Sequence, residues 1–329
     1  MNYLFISVLS LMLMACSEHK QNFPKASSQQ TIGLPDNATK LPKTELIHGW
    51  PKEKIQSLQR ATAKAIGLNN RVSFYDNFAT IDGEIISSQK MVVIPSAIFV
   101  MGCYDGGKSC FPREDIKSLI TINYPFAVSE NEVSNAEWAL CVKAGFCESN
   151  DSITDNADFA VTSISWSEAQ AYTRWLSIAT GKIYRLLSES EHEHASRAAG
   201  TGDLLGNNLD CSSSKHLKTA KSDSCYFNPK DRYKTQPVGQ LQPNAFGLKA
   251  IHSGRFEWLE DCWHNSIFDN TPKDGSPYKE KDSCKTGLYV ARGGNMGGIK
   301  RIIRASNRHI GRKNKKFPDV GFRVVREID

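Results

Sequence analysis

Apolar positions along the chain fall into successive patterns, each predicting a different kind of element. Tyr3 to Ala15 is an apolar run of about a dozen residues, too short to cross a bilayer but of signal-peptide length. From residue 17 to about 48, Ser, Gln, Lys, Asn and Pro dominate, with apolar groups only scattered, the composition of a flexible tether. Between Pro51 and Ile66, residues Ile55, Leu58, Ala61, Thr62, Ala65 and Ile66 recur at helical spacing, with Pro near the start and Gly67 as a stop. This predicts a short amphipathic helix packed on the domain that follows. The string MVVIPSAIFVMG from Met91 then reads as a strand, a turn at Pro95-Ser96 and a second strand.

Three further helices are predicted by their caps. Ser134 with Glu137, Ser165 with Glu168 and Ser188 with Glu191 each form a capping box, and the helices they open stop near Gly145, Gly181 and Gly200. Beyond Gly200 the pattern shows loops, short strands, Gly pairs and cysteine-bearing stretches, without a long helix. The fold class expected is an irregular α+β domain with little regular structure, stapled by disulfides.

Composition bounds this reading. The 329 residues are 40% hydrophobic and 23% charged, which excludes wholesale disorder and suits one large domain plus an appendage. The expected organisation is a signal peptide over 1–15, a tether over 16–48, a helical extension over 49–88 and the main domain over 89–329. The net charge of +6 is local: Arg292 to Pro318 holds nine Lys or Arg and no acid, leaving −3 for the rest. A generic nucleic-acid binder is therefore not expected.

The apolar start ends in Leu13-Met14-Ala15-Cys16, which resembles a bacterial lipobox. That resemblance implies lipid on Cys16, a membrane as partner and an envelope location, with Ser17 suiting the outer membrane and a fold facing the periplasm. Met1 to Phe5 carry no Lys or Arg, so the usual basic flank is missing. With Cys16 set aside, eight cysteines fall in adjacent couples: Cys103 with Cys110, Cys141 with Cys147, Cys211 with Cys225, and Cys262 with Cys284. Eight cysteines allow 105 pairings, and zinc is a rival. No CxxC occurs and no His sits at ligand spacing, so local disulfides in an oxidising compartment are the better reading.

The strings MVVIPSAIFVMG, NEVSNAEWALCVKAGFC, ISWSEAQAYTRWLSIATGKIYRLLSESEHEHASRAAG, TQPVGQLQPNAFGL, FEWLEDCW, ARGGN, RASNR and VGFRVVR follow one another along the chain. In these strings and their order, residues 91 to 326 resemble the formylglycine-generating enzyme family of sulfatase-modifying factors. It implies a C-type-lectin-like α+β fold. Catalytic members resemble one another in a cysteine pair, five residues apart, that binds copper and oxidises a substrate cysteine to formylglycine. Soft thiolates select Cu(I). Here Gly294 to Gly321 holds no cysteine, and the two positions fall near Ile302 and Asn307. No copper is expected, and the expected protein is a non-catalytic member.

The resemblance also implies two calcium sites. One would use Asp210 and Asp231 with the carbonyls of Cys211 and Tyr233, a hard oxygen set suited to Ca²⁺. The other has lost a ligand to Ala250, retains Glu257 and gains Arg255, so one structural Ca²⁺ is expected. Arg292, Asn295, Arg304, Asn307, Arg308 and Arg323 match positions that line or support the family's substrate groove. Of these, Arg292 and Arg323 read as buried partners of acids, and Arg304 and Arg308 as facing the groove. Lys313, Lys315 and Lys316 read as a solvated loop.

Other branches of the family carry an iron site on a His-rich helical domain, but here the N-terminal extension offers only His19 and His48. His192 and His194 flank Glu193 two apart, so they do not share a helix face as a metal pair would. Trp166, Trp175, Trp258 and Trp263 read as core. The function expected is a membrane-tethered binding or scaffold protein that recognises a protein or an anionic ligand, accessory to a secretion, surface-assembly or signalling system. The alternatives are a formylglycine-generating oxidase acting on an exported protein, and a cell-wall or carbohydrate module, although no EPN or QPD triplet is present.

Overall fold

The computed structural model describes residues 40–103, 117–150, 156–200, 237–239, 243–251, 255–265, 271–294 and 304–328. All of them belong to one compact unit, Asn37–Asp329. Helix α1 spans Lys52–Ala65, α2 Asn135–Lys143, α3 Trp166–Thr180, α4 Glu189–Arg197 and α5 Lys281–Lys285. In the three boxed helices the Ser side chain accepts from the backbone of the Glu three residues on, and that Glu returns to the Ser amide. Gly145 and Gly181 take the left-handed conformation that ends α2 and α3. The third ending differs from expectation. Helix α4 stops at Arg197, and Ala198 and Ala199, at φ 45° and 67°, make the reversal before Gly200. Left-handed alanine costs roughly 1–2 kcal/mol per residue, and both side chains are buried in the core.

Thirteen short strands are described. A five-stranded sheet runs β1 (Ser73–Phe74), β4 (Met91–Ile94), β7 (Phe126–Ser129), β13 (Val325–Glu327) and β8 (Tyr184–Arg185), with antiparallel neighbours. A four-stranded sheet runs β11 (Arg308–Arg312), β10 (Leu288–Gly293), β9 (Phe256–Cys262) and β12 (Val320–Gly321), the last pair being parallel. Strands β2 (Asn77–Ala79) and β3 (Ile85–Ser87) form one hairpin; β5 (Ala97–Met101) and β6 (Ser118–Ile122) pair separately. The turn at Pro95-Ser96 thus passes the chain from one sheet to another.

Two apolar clusters fill the interior. One gathers Ile55, Phe99, Phe126, Phe246 and Leu259, the other Trp138, Tyr172, Trp175, Trp258 and Phe322. Trp258 is fully buried and donates its indole N–H to the Ile164 carbonyl at 2.8 Å. Residues expected to lie in the tether are already part of the fold. Ile47 is fully buried and its amide bonds the Ile98 carbonyl. Helix α1 is bound through Gln59, whose buried amide donates to the carbonyls of Val93 and Phe246, each at 2.8 Å.

Disulfides join Cys141 to Cys147 and Cys262 to Cys284, two of the four adjacent couples. Cys103 is also disulfide-bonded. Its expected partner Cys110 lies outside the described residues, as does Cys16. The remaining couple, Cys211 with Cys225, falls wholly outside them: neither Cys211 nor Cys225 is described. Among the described residues no helix is long and apolar enough to cross a membrane.

Candidate functional site

The sequence of α4, ESEHEHASR, offers one apolar residue, Ala195, yet all nine positions are buried. The helix passes through the interior because its charges are matched there. Glu189 receives Arg292 Nε at 2.8 Å and Arg308 Nη2 at 2.9 Å, with Arg308 Nε also bonded to it. Burial alone would raise the Glu189 carboxyl; Arg308 and Arg292 outweigh it and hold it down to about 2. Glu193 receives Arg292 Nη1 and Arg197 Nε. Glu191 takes both terminal nitrogens of Arg185 at 2.7 Å.

A second carboxyl closes over the start of α4. Asp261 on β9 accepts the amides of Glu189 and Tyr278 at 2.7 and 2.9 Å. Burial and the nearby Glu189 push it up to about 8 against those two amides.

The residues expected at the groove now have places. Arg292 lies on β10 and is fully buried; its remaining Nη1 bond goes to the Ala305 carbonyl. Arg323 is also fully buried and grips both oxygens of Glu257. The structure brings Arg308 to the same carboxylate as Arg292, with its guanidinium over Trp263 at 4.5 Å. Arg304 is fully buried and bonds Cys103 Sγ and Ser306 Oγ. Asn307 is buried and its amide closes the turn onto the Arg304 carbonyl. Asn295 lies outside the described residues, as do Ile302 and the calcium candidates Asp210, Cys211, Asp231 and Tyr233.

At the place expected from the sequence for a second calcium site, Glu257 faces Arg323 on both oxygens and His192 Nε2 at 3.3 Å. Burial would raise this carboxyl; Arg323 and His192 hold it below the usual range. Among the described residues no three His, Cys, Asp or Glu side chains converge as a metal centre needs. All five described cysteines are in disulfides, so they do not fit the thiolate pair of a copper site.

Sequence reasoning misses the acid side of the cluster: Glu189, Glu193, Asp261 and Glu191 with Arg185. The available signal is a capped helix inside a domain with no apolar face, followed by a basic segment holding no acids.

A family model of the sulfatase-modifying factor enzyme 1-like domain matches residues 78–328. The chain belongs to that family. Its match begins in the β2–β3 hairpin, ahead of the boundary at 89 expected from the sequence. The formylglycine-generating enzyme of Bos taurus is 30% identical over 171 residues, 49% of this chain and 44% of that protein. The Mus musculus enzyme is 30% identical over 165 residues, 47% and 42% respectively. The chain thus spans less than half the length of these curated relatives. PvdO from Pseudomonas aeruginosa superposes with a TM-score of 0.64 at 30% identity, over 78% of this chain and 97% of that one. Treponema denticola variable protein 1 gives 0.58 at 19%, over 78% and 99%, a likeness of fold. The irregular α+β class read from the sequence is the fold of this family member.

His194 gives a test of how dry α4 is. Its Nε2 lies 3.2 Å from the Pro95 carbonyl, and its ring packs on Phe99 and Phe246. Burial lowers it to about 4, with the Pro95 carbonyl opposing. The unfolded chain binds a proton near pH 6.5 that the folded chain refuses until about 4. Stability from this residue is therefore complete above 6.5 and falls as pH falls, by up to about 3 kcal/mol. The Tm measured from pH 7 to 4.5 should decline, and more shallowly in His194→Leu. Equal slopes in both proteins would mean His194 is not held neutral.

Proposed function

We propose that the chain is a non-catalytic member of its family, a membrane-tethered binding protein whose partner is a protein. The observation that carries this is the cysteine-free interval Gly294 to Gly321, with Asn307 buried at a position where catalytic members resemble one another in cysteine. An amide cannot supply a thiolate to Cu(I) or a redox-active sulfur. The arginines favour a protein partner over the anionic ligand also expected from the sequence. Arg292, Arg308 and Arg323 are committed to buried carboxylates at 2.7–2.9 Å, so an anionic ligand would have to displace a matched internal partner. A protein partner needs no such exchange.

The names of the curated relatives favour a second reading, a formylglycine-generating oxidase. Incubation with a cysteine peptide and Cu(I) separates the two. The proposal expects no aldehyde by mass spectrometry above a heat-killed control and no tight Cu(I) binding. Aldehyde formed by the purified chain overturns it.

Tethering rests on Cys16. Cys16→Ser should move the protein from the membrane fraction to the soluble fraction and abolish incorporation of a labelled fatty acid. A variant that stays lipid-labelled and membrane-bound rejects the anchor.

One structural Ca²⁺ is proposed on Asp210 and Asp231 with the carbonyls of Cys211 and Tyr233, on the chemistry of that donor set. Added Ca²⁺ should raise Tm and a chelator lower it, and Asp231→Ala should remove the response. Glu257→Gln should lower the baseline by stranding Arg323, yet keep the calcium increment. The reverse pattern would exchange the two sites.

A further inference from the structure

Away from α4 the surface carries a cleft of about 730 Å³. That lies within the range of roughly 300–1,000 Å³ usual for ligand sites. Most of its lining comes from residues 66–77, and the rest from Ser87, Arg326 and Ile328. The family match begins at residue 78. The cleft is therefore built where the segment ahead of the family domain meets the last strand of that domain. None of the described residues matched to the family's substrate groove lines it.

Two features of the lining point to a ligand. The first is an open strand edge. Strand β1 ends the five-stranded sheet, and β4 is its only strand neighbour among the described residues. Val93 donates its amide to the Val72 carbonyl at 2.9 Å. Antiparallel bonding alternates along a strand, so Ser73, one residue on, turns its amide and carbonyl away from β4. Ser73 lines the cleft, and neither group is hydrogen-bonded among the described residues. Such an edge is a template for an added strand. The second feature is an unmatched cation. Arg71 is exposed, and its amide closes a turn onto the Leu68 carbonyl at 2.9 Å. Its guanidinium makes no hydrogen bond or ion pair among the described residues. The other charges are spent on each other: Asp76 Oδ2 accepts from Tyr184 Oη at 2.7 Å and from Arg326 Nε at 3.3 Å. Two arginines against one aspartate leave the cleft with an excess positive charge.

We infer that this cleft docks the protein partner through an extended segment, which adds as a strand to β1 and sets an aspartate or glutamate against Arg71. The inference rests on the protein-binding reading above and deepens it by naming the surface. Main-chain bonds give affinity in this mode, and pockets for alternate side chains give specificity. The apolar side chains of the segment meet Phe74, which Arg326 covers at 5.7 Å, and the exposed Tyr75. Tyrosine and arginine are the residues that carry most binding energy at protein interfaces. A small anion would engage Arg71 and leave both the strand edge and the aromatic wall unused.

The probe is a phage-displayed library of random peptides, selected on the immobilised full chain. Enriched peptides should share an acidic residue among alternating apolar positions. Their Kd, read by fluorescence anisotropy, should rise about tenfold in Arg71→Glu, because a like charge then faces the acid. Exchanging the peptide acid for lysine should restore binding to that variant, which also shows the variant is folded. Methylating alternate peptide amides separates strand addition from simple ion pairing: one set should abolish binding and the other should spare it. The inference is overturned by no enrichment, by peptides without an acid, by an unchanged Kd in Arg71→Glu, or by equal effects of the two methylated sets. A dimer of the chain that the peptides dissociate would make the occupant a second copy and overturn it too. Photo-crosslinking in cells, with p-benzoylphenylalanine in place of Tyr75 or, separately, of Lys315, tells its failure from that of the broader reading. A protein joined from Lys315 and not from Tyr75 keeps the binding role and refutes the cleft. Aldehyde formed in the cysteine-peptide assay refutes the non-catalytic reading instead.

Discussion

The burial of α4 is the constraint on which the rest of the structure depends. Its nine residues include three glutamates and one arginine, and all nine are buried. Removing one partner from a buried ion pair costs about 3–5 kcal/mol, because the other charge is left dry and alone. Each carboxylate is accordingly addressed by a different set of donors. Glu191 takes Arg185, the Tyr124 hydroxyl and the Ser188 amide; Glu189 takes Arg292 and Arg308; Glu193 takes Arg292, Arg197 and the Gly102 amide. A slip of one residue along α4 would turn every one of these groups away from its partner. The ion pairs thus contribute register more than net stability. Strands β10 and β11 are placed by the same guanidiniums that neutralise the helix.

This arrangement changes what the basic segment means. From Arg292 to Pro318 the sequence shows cations without acids, a profile that suggests an anionic partner outside the molecule. In the fold, Arg292, Arg304 and Arg308 turn inward, and the carboxylate partners of Arg292 and Arg308 lie 99 to 119 residues earlier in the chain. Arg312 at the end of β11 and Lys313, Lys315 and Lys316 in the connection to β12 are exposed, and Lys316 pairs with Glu168 across the start of α3. The charge imbalance is therefore partly an internal matter between distant segments. Local net charge reports on partners only after such pairs are subtracted.

What is legible in the sequence is local. A capping box is complete within four residues, so the boxes at Ser134, Ser165 and Ser188 can be read without tertiary context. The couples Cys141 with Cys147 and Cys262 with Cys284 close short loops, and the ordered motifs carry the family and its fold. Periodicity cannot show that α4 is interior, because it ranks a helix by apolar residues and α4 has almost none. Its end escapes for a related reason. Gly200 is the obvious stop, but core packing holds Ala198 and Ala199 in a conformation that alanine alone disfavours. The anchoring of Ile47 is hidden too, since one isoleucine in a polar stretch carries no period. Arg304 reads from sequence as facing the groove, and only the fold can show it lying against Cys103, 201 residues away.

The surroundings of Arg323 show how this chain handles an oxygen-rich cage. The guanidinium meets both oxygens of Glu257 and the backbone carbonyls of Ser129, Glu130 and Lys249 at 2.7–3.3 Å. A carboxylate with several carbonyls is the donor set a hard cation takes. Here a cation fixed to β12 by covalent chain fills it, and nearby Ala250 holds a left-handed backbone with no side-chain oxygen to offer. A free ion stabilises a fold in proportion to the logarithm of its concentration. A tethered guanidinium contributes at any ionic composition and cannot be removed by a chelator. The cost is positional: the cage must form around a planar group with fixed donor directions. That requirement joins Ser129 and Glu130 at the end of β7, Lys249, and β9 to the approach to β13. The same device, a buried arginine satisfying oxygens from remote segments, recurs at Arg292 and Arg308. The domain is thereby held through side chains the sequence carries, at the junctions where its short strands supply few backbone bonds.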